Sequence, residues 1–437
     1  FFLGTEFYSA VIREILANPE AYGRSEYGRD EKVMVEFVSA NPTGPMHMGN
    51  ARGGALGDCL AAVLDKAGYN AWREFYVNDA GNQIEKFGCS LEARYLQIFK
   101  GDEIEFPEDG YQGEDIKDLA KEYADLNGDS LVNVSAEERK KALVDYALPK
   151  NIKKMQADME KYKIFYDKWF FESELHKSGA VKAVVDLLTK KGLTYEKEGA
   201  VWYKNKEVLT QKLLKEGKSQ KYIDNLELKD DVLIRQNGNP TYFTADIAYH
   251  KNKFDRGFTT LIDVWGADHH GHVMRMKGAM DAIGYDGDKL NVVLMQLVKL
   301  VKDGELVRMS KRTGKAIQLG DLLDEVPVDS ARFLFNTKEA NTQMDFDLDL
   351  AVSQDNQNPV YYVQYAHARI CSIFKSLAKE GISPRECTDA ELALLTAPEE
   401  KELINHLASY TNEIISAAKD YDPTKVTRYV TQLATLF

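Results

Sequence analysis

Lys32-Val33-Met34-Val35-Glu36-Phe37-Val38 leads through Ser39-Ala40 into Asn41-Pro42-Thr43-Gly44-Pro45-Met46-His47-Met48-Gly49-Asn50. The first run is short, apolar and rich in valine, which suits a buried strand. Two prolines and a glycine then make a stiff turn. Gly49 to Lys66 follows as a predicted helix, with Leu56, Leu60, Val63 and Leu64 along one side and Gly68 as its stop. A strand that turns sharply into a glycine-rich helix can cradle phosphate at the positive end of that helix.

Working outward, Trp72 to Val77 reads as a second strand and Gln83 to Phe99 as a second helix. The alternation resumes with a strand near Thr259–Trp265, a helix at Val273–Ile283 and a strand at Asn291–Val301. This is the pattern of a doubly wound parallel α/β sheet, Rossmann-like in class. Between the halves lies a charged stretch, about 101–231, read as an insertion. It carries predicted helices at Lys117–Tyr123, Ala136–Phe165 and Val181–Lys190, and a β excursion near Gly199–Lys204. From about Gln354 the pattern becomes helical: Leu403, Leu407, Ile414 and Ala418 fall on one stripe, and Val426, Tyr429, Val430 and Leu433 on another. The expected division is therefore 1–30 as a linker or remnant of a preceding domain, 31–353 as the α/β domain, and 354–437 as part of an all-α bundle.

No apolar run approaches the roughly 18 residues of a membrane span, so no membrane partner is expected. Cys59, Cys89, Cys371 and Cys387 are scattered without metal-ligand or disulfide spacing. A reduced, cytoplasmic protein is expected, and a monomer. The net charge of −13 speaks against a uniformly basic nucleic-acid binder, although a local basic face would suffice for phosphate contact.

A second motif lies far downstream, Arg308-Met309-Ser310-Lys311-Arg312-Thr313-Gly314. Lys311 on such a loop can meet a departing pyrophosphate, with Met309 and Ser310 against the nucleotide. In the first motif, Pro42 and Gly44 shape the turn, Gly49, Gly53, Gly54 and Gly57 clear the helix start, and His47 and Asn50 offer donors to phosphate oxygens. Each string alone also suits a plain turn or a solvated basic loop; the pair, in order and in context, points to ATP activation by positioning and charge stabilisation.

Together with Val35-Glu36-Phe37-Val38-Ser39-Ala40-Asn41, Tyr242-Phe243-Thr244-Ala245-Asp246-Ile247-Ala248-Tyr249, Val264-Trp265-Gly266-Ala267-Asp268-His269-His270-Gly271-His272 and Asn358-Pro359-Val360-Tyr361-Tyr362-Val363-Gln364-Tyr365-Ala366-His367-Ala368-Arg369, the two motifs resemble those of class I aminoacyl-tRNA synthetases, and within them the arginyl enzymes of bacterial type. The resemblance covers the chain from about residue 30 to its end. It implies ATP-dependent activation of L-arginine to arginyl-adenylate, with Mg2+ accompanying ATP, then transfer to the terminal 2′-hydroxyl of tRNA(Arg). It also implies adenylate formation that requires the tRNA, and a C-terminal anticodon-binding bundle. Carried over by position, it makes His47, Asn50 and Lys311 catalytic. Gly266, Asp268 and His272 join Pro42, Gly44, Gly49, Met309 and Ser310 at ATP. Glu36, Ser39, Asn41, Tyr242 and Asp246 are expected at arginine, whose planar guanidinium calls for carboxylates. Asn50 stands where most such motifs have a second histidine, and Arg308 where they have a lysine. No tightly bound metal is expected, the adjacent His269 and His270 lacking a third ligand at suitable spacing.

Two other readings stand beside this one. The chain could be a different nucleotidyl-transfer ligase of the same superfamily, which arginine-over-lysine selectivity would exclude. It could also be a non-catalytic RNA-binding paralogue, for which the absence of ATP binding would speak.

Overall fold

The computed structural model describes residues 4–307 and 317–437, the side chain of Asp102 excepted. In chain order its strands are β1 (Lys32–Glu36), β2 (Asn70–Val77), β3 (Lys168–Phe171), β4 (Thr194–Lys197), β5 (Ala200–Tyr203), β6 (Asp231–Ile234), β7 (Thr260–Gly266), β8 (Leu290–Met295), β9 (Val298–Lys302), β10 (Glu305–Val307) and β11 (Met344–Asp347). Five form the main sheet in the order β3-β2-β1-β7-β8, and every neighbouring pair in it is parallel. The chain winds outward from β1 to β3 on one side and from β7 to β8 on the other. The direction reverses between β1 and β7, and such a reversal opens a crevice at the carboxyl ends of the strands.

Both faces are covered, as a parallel sheet requires. One core packs the helix Met48–Lys66 against the sheet through Leu60 and Leu64, with Phe37, Phe75 and Ile262 beneath. The other packs the helices Ala180–Lys190, Tyr242–Asp255 and His270–Ile283 through Val184, Ile247, Met276 and Met280. A third, smaller core of Phe87, Leu91, Tyr95, Ile116 and Leu143 belongs to the helical excursion after β2.

Two sequence expectations change. The stretch 101–231 is not a single excursion, because β3 returns to the main sheet and pairs parallel with β2 from Glu74↔Lys168 to Val77↔Phe171. The remainder of that stretch contributes β4, β5 and β6 to a small antiparallel sheet. The apolar run Asn291–Val301 is two strands in different sheets: β8 pairs with β7, whereas β9 lies between β10 and β11. The break falls at Gln296, whose N–H donates to the Ala340 carbonyl at 2.8 Å and whose carbonyl is caught by the buried Arg52 at 2.8 Å. At the other end of the chain, the helix Thr5–Ala17 packs Tyr8 and Val11 against Ile404 of the helix Pro398–Lys419.

The glycines of the helix Met48–Lys66 do not all serve an open surface. A Cβ on Gly57 would lie 2.2 Å from the Phe37 ring, and one on Gly54 would lie 2.9 Å from Ile164. These two positions let the helix pack closely on Phe37, just after β1, and on Ile164, in the loop before β3, and a nucleotide does not explain them. Gly57→Ala should therefore destabilise the fold by about 1–3 kcal/mol through overpacking, read as a lower denaturation midpoint. An unchanged midpoint would mean that Phe37 repacks freely.

Candidate active site

The carboxyl end of β1 is where the backbone is most constrained. Val38 and Ser39 take φ of 72° and 43° in succession, and the left-handed region is costly for a β-branched residue. The Ser39 hydroxyl holds this bend: Oγ donates to Glu36 Oε1 at 2.7 Å and accepts from the Tyr76 N–H at 3.2 Å. The bend folds Ser39 to Asn41 back over the strand end, so β1, β2 and β7 open into one cavity of about 630 Å³.

His47 caps the helix Met48–Lys66. Its Nδ1 accepts from the Gly49 N–H at 3.2 Å, and its own N–H donates to Asn50 Oδ1 at 2.9 Å. These bonds orient both side chains. A ring whose Nδ1 accepts carries its proton on Nε2, and an amide whose oxygen is taken turns its NH2 outward. Burial lowers the His47 pKa below the ordinary histidine value. The helix start thus presents neutral donors, His47 Nε2–H and Asn50 Nδ2–H, at its positive end.

The same cavity carries acidic groups. The segment carrying Tyr242 and Asp246 forms the helix Tyr242–Asp255, and the four-residue spacing brings both side chains to the cavity. Asp246 Oδ2 lies 3.1 Å from His272 Nε2. Glu36 is 7% exposed yet lines the same cavity. Burial pushes its pKa up, with Lys253 pulling back and Asp263 adding to the rise. Asp263 is itself buried, but Lys253 and His250 outweigh that and take it down to about 2. The trio Glu36, His250 and Asp263 could ligate a metal by geometry. The Lys253 ammonium already bonds both carboxylates, so the trio has its cation.

Of the residues singled out from sequence, Glu36, Ser39, Asn41, Gly44, His47, Asn50, Tyr242, Asp246, Gly266 and His272 line the cavity. Three others do not. Pro42 is buried beneath the turn, its carbonyl accepting from Asn151 Nδ2 at 2.9 Å. Gly49 is covered by the His47 ring, 3.2 Å from where its Cβ would stand. The Asp268 side chain is 83% exposed and lies 3.8 Å from His269, at the edge of the cavity that His269 and Gly266 line. Met309, Ser310 and Lys311 lie outside the described residues.

Sequence reasoning missed Tyr76, Asn78, Tyr111, Tyr249, His250 and Trp265, which also line the cavity. Tyr76 and Asn78 were accessible in principle, since they sit at the carboxyl end of a recognised strand. Tyr76 donates to the buried Glu172 at 2.9 Å, and Glu172 follows β3, a strand the sequence pattern did not reveal.

Comparison with known proteins agrees with this geometry. Residues 11–370 match the catalytic domain of the class I tRNA synthetases (R), and residues 363–437 match the DALR anticodon binding domain. Over the whole chain, the sequence is 55% identical to 75% of an arginine–tRNA ligase of Ruminiclostridium cellulolyticum. It is 56% identical, with the same coverage, to that of Caldanaerobacter subterraneus subsp. tengcongensis. A solved structure from Campylobacter jejuni assigned as an arginyl-tRNA synthetase superposes with a TM-score of 0.84 at 34% identity, over 99% of this chain and 90% of that one. No helix among the described residues is long and apolar enough to cross a membrane. Cavity, domain pattern and relatives agree: the chain belongs to the class I arginyl-tRNA synthetases.

Proposed function

We propose that the cavity at the β1–β7 crevice binds L-arginine against its acidic groups and ATP against the helix start, activates the amino acid to arginyl-adenylate, and passes it to tRNA(Arg). The observation that carries this reading is that one cavity holds both sets of groups, the carboxylates of Glu36 and Asp246 and the donors of His47 and Asn50. A guanidinium is permanently cationic and asks for fixed carboxylates. A triphosphate asks for fixed donors.

In the first step a carboxylate oxygen of arginine attacks the α-phosphorus, the P–O bond to the β-phosphate breaks, and pyrophosphate leaves. Arginine's carboxylate is the nucleophile, so no protein base is needed. His47 and Asn50 donate to phosphate oxygens as charge builds, and Lys311, with Ser310 and Met309, takes the pyrophosphate side. Mg2+ enters with ATP as part of the substrate. In the second step the 2′-hydroxyl of the terminal adenosine attacks the activated carbonyl and AMP leaves. Ser39, Asn41 and Tyr242 complete the amino-acid side, while Gly266 and His272 border the shared region at the end of β7. Asp268, beside Gly266 and His269 at the rim of that region, is read with them on the ATP side. Residues 31–353 form the catalytic part and 354–437 belong to the anticodon-binding part of a monomeric, cytoplasmic enzyme with no membrane partner.

Calorimetric titration with a non-hydrolysable arginyl-adenylate analogue tests the reading, with lysyl and citrullinyl analogues as controls. Binding of the arginyl compound at least about a hundredfold tighter than citrullinyl is expected, since an unpaired buried carboxylate penalises the neutral isostere. Equal binding of all three would remove arginine from the claim, and no binding would favour the non-catalytic alternative.

A further inference from the structure

The helix Tyr242–Asp255 is fastened to the sheet by charge. Parallel register sets Glu74, Glu36 and Asp263 side by side on β2, β1 and β7. All three are buried, and three neighbouring carboxylates in a dry sheet repel one another. One helix and the residue after it answer the whole row. Arg256 forks onto Glu74, with Nη1 2.8 Å from Oε1 and Nη2 on Oε2. Lys253 donates to Asp263 Oδ1 at 2.8 Å and also to Glu36 Oε2. His250 Nε2 lies 2.7 Å from Asp263 Oδ2. Of the three acids, only Glu36 reaches the cavity.

We propose that Lys253 is a positioning residue for arginine recognition, its fully buried ammonium keeping Glu36 charged and fixed at the cavity floor beside Asp246. The proposal rests on the assignment of the cavity to arginine. Ser39 Oγ occupies one lone pair of Glu36 Oε1 and Lys253 one of Oε2, which leaves each oxygen a further acceptor site. The titratable groups around Glu36 are Lys253, His250, Tyr249 and Asp246 from the helix, Asp263 from β7, Glu74 and Tyr76 from β2, and Tyr166. Ligand atoms of Glu36, His250 and Asp263 lie within 4.8 Å of one another. Without the ammonium, two buried carboxylates at that range do not both stay ionised. Asp263 keeps its bond to His250, so Glu36 takes the proton. A neutral acid then meets the guanidinium.

The test compares the full chain with Lys253→Met and with Lys253→Met/Asp263→Asn, each titrated with the arginyl-adenylate analogue and separately with a non-hydrolysable ATP analogue. In Lys253→Met the arginyl compound should bind about twentyfold more weakly at about pH 6.5, and the loss should shrink severalfold by about pH 8.5 as Glu36 ionises. The double variant removes the competing carboxylate but not the burial of Glu36, so its affinity should recover only part of the loss, with a weaker pH dependence than Lys253→Met. ATP-analogue binding should be unchanged in both. Lys253→Met that binds the arginyl compound like wild type at both pH values overturns the proposal. So does an equal loss for both ligands, the signature of a merely structural residue. Should Lys253→Met fail to fold, the double variant decides, and arginyl affinity there equal to wild type at both pH values overturns the proposal. A wild-type chain indifferent to the guanidinium overturns the arginine reading, and this role with it.

Discussion

Replacing Asp246 with alanine should weaken binding of the arginyl-adenylate analogue on the order of a hundredfold or more, about 3 kcal/mol, with the fold intact. Asp246 stands on the first turns of a helix whose far end is pinned to the sheet by Lys253 and Arg256. Its side chain is 35% exposed in the free protein and makes one cavity-facing contact, to His272. It is thus a carboxylate held ready and only lightly engaged, and truncation leaves no buried cation stranded. Stability should move by no more than about 0.5 kcal/mol, while the guanidinium loses a charge-assisted partner at a site that other ligands displace little water to reach. Asp246→Asn separates charge from shape: it keeps an acceptor on the same rotamer and should still lose most of the affinity. A folded Asp246→Ala chain that retains its affinity for the arginyl compound would refute the pocket.

The parallel sheet was legible because its inner strands are short apolar runs at the ends of recognisable helices, and burial on both faces leaves no other pattern for them. Two features were hidden for physical reasons. β3 is four residues at the sheet edge, Lys168-Trp169-Phe170-Phe171, set in a charged helical context that offers no period to read. The break between β8 and β9 falls at Gln296 in a mostly apolar run, and a partner far away in sequence decides it: Arg52 from the helix Met48–Lys66, 1% exposed, binds the carbonyls of Gln296 at 2.8 Å and Glu339 at 2.9 Å. No local signal announces that. The candidate site divides along the same line. Tyr242 and Asp246 could be paired from helical spacing alone, and His47 with Asn50 from the cap. Lys253 could not, because its meaning depends on the register that sets Glu36 beside Asp263. The glycines show the opposite error, where a motif invited a ligand explanation for Gly54 and Gly57 that the packing of Phe37 and Ile164 already supplies.

Changing His47 should cost the most in rate. Losing one preorganised donor to a developing oxyanion typically lowers kcat on the order of 10²–10³, and His47→Ala should do so in pyrophosphate exchange measured with tRNA(Arg) present. The same change removes a helix cap, worth about 1 kcal/mol, so part of any loss could reflect a loosened helix start. His47→Asn distinguishes the two, since asparagine restores the cap but its shorter amide does not bring a donor to where Nε2 stands. Stability should return while most of the rate loss remains; full recovery of rate in His47→Asn would reduce His47 to a cap. The pH dependence follows from the bond at Nδ1. Accepting from Gly49 requires a neutral ring, and burial holds the folded pKa below the ordinary value of 6.5. In the window between the folded and unfolded pKa, the unfolded chain binds more protons. The cap's contribution is therefore fully present above the unfolded value and is lost as pH falls through the window toward the folded one. Rate should follow, flat on the alkaline side and falling on the acid side as Nδ1 gains a proton and releases Gly49. That acid limb should vanish in His47→Asn, whose amide does not titrate, and its persistence there would assign the limb to another group.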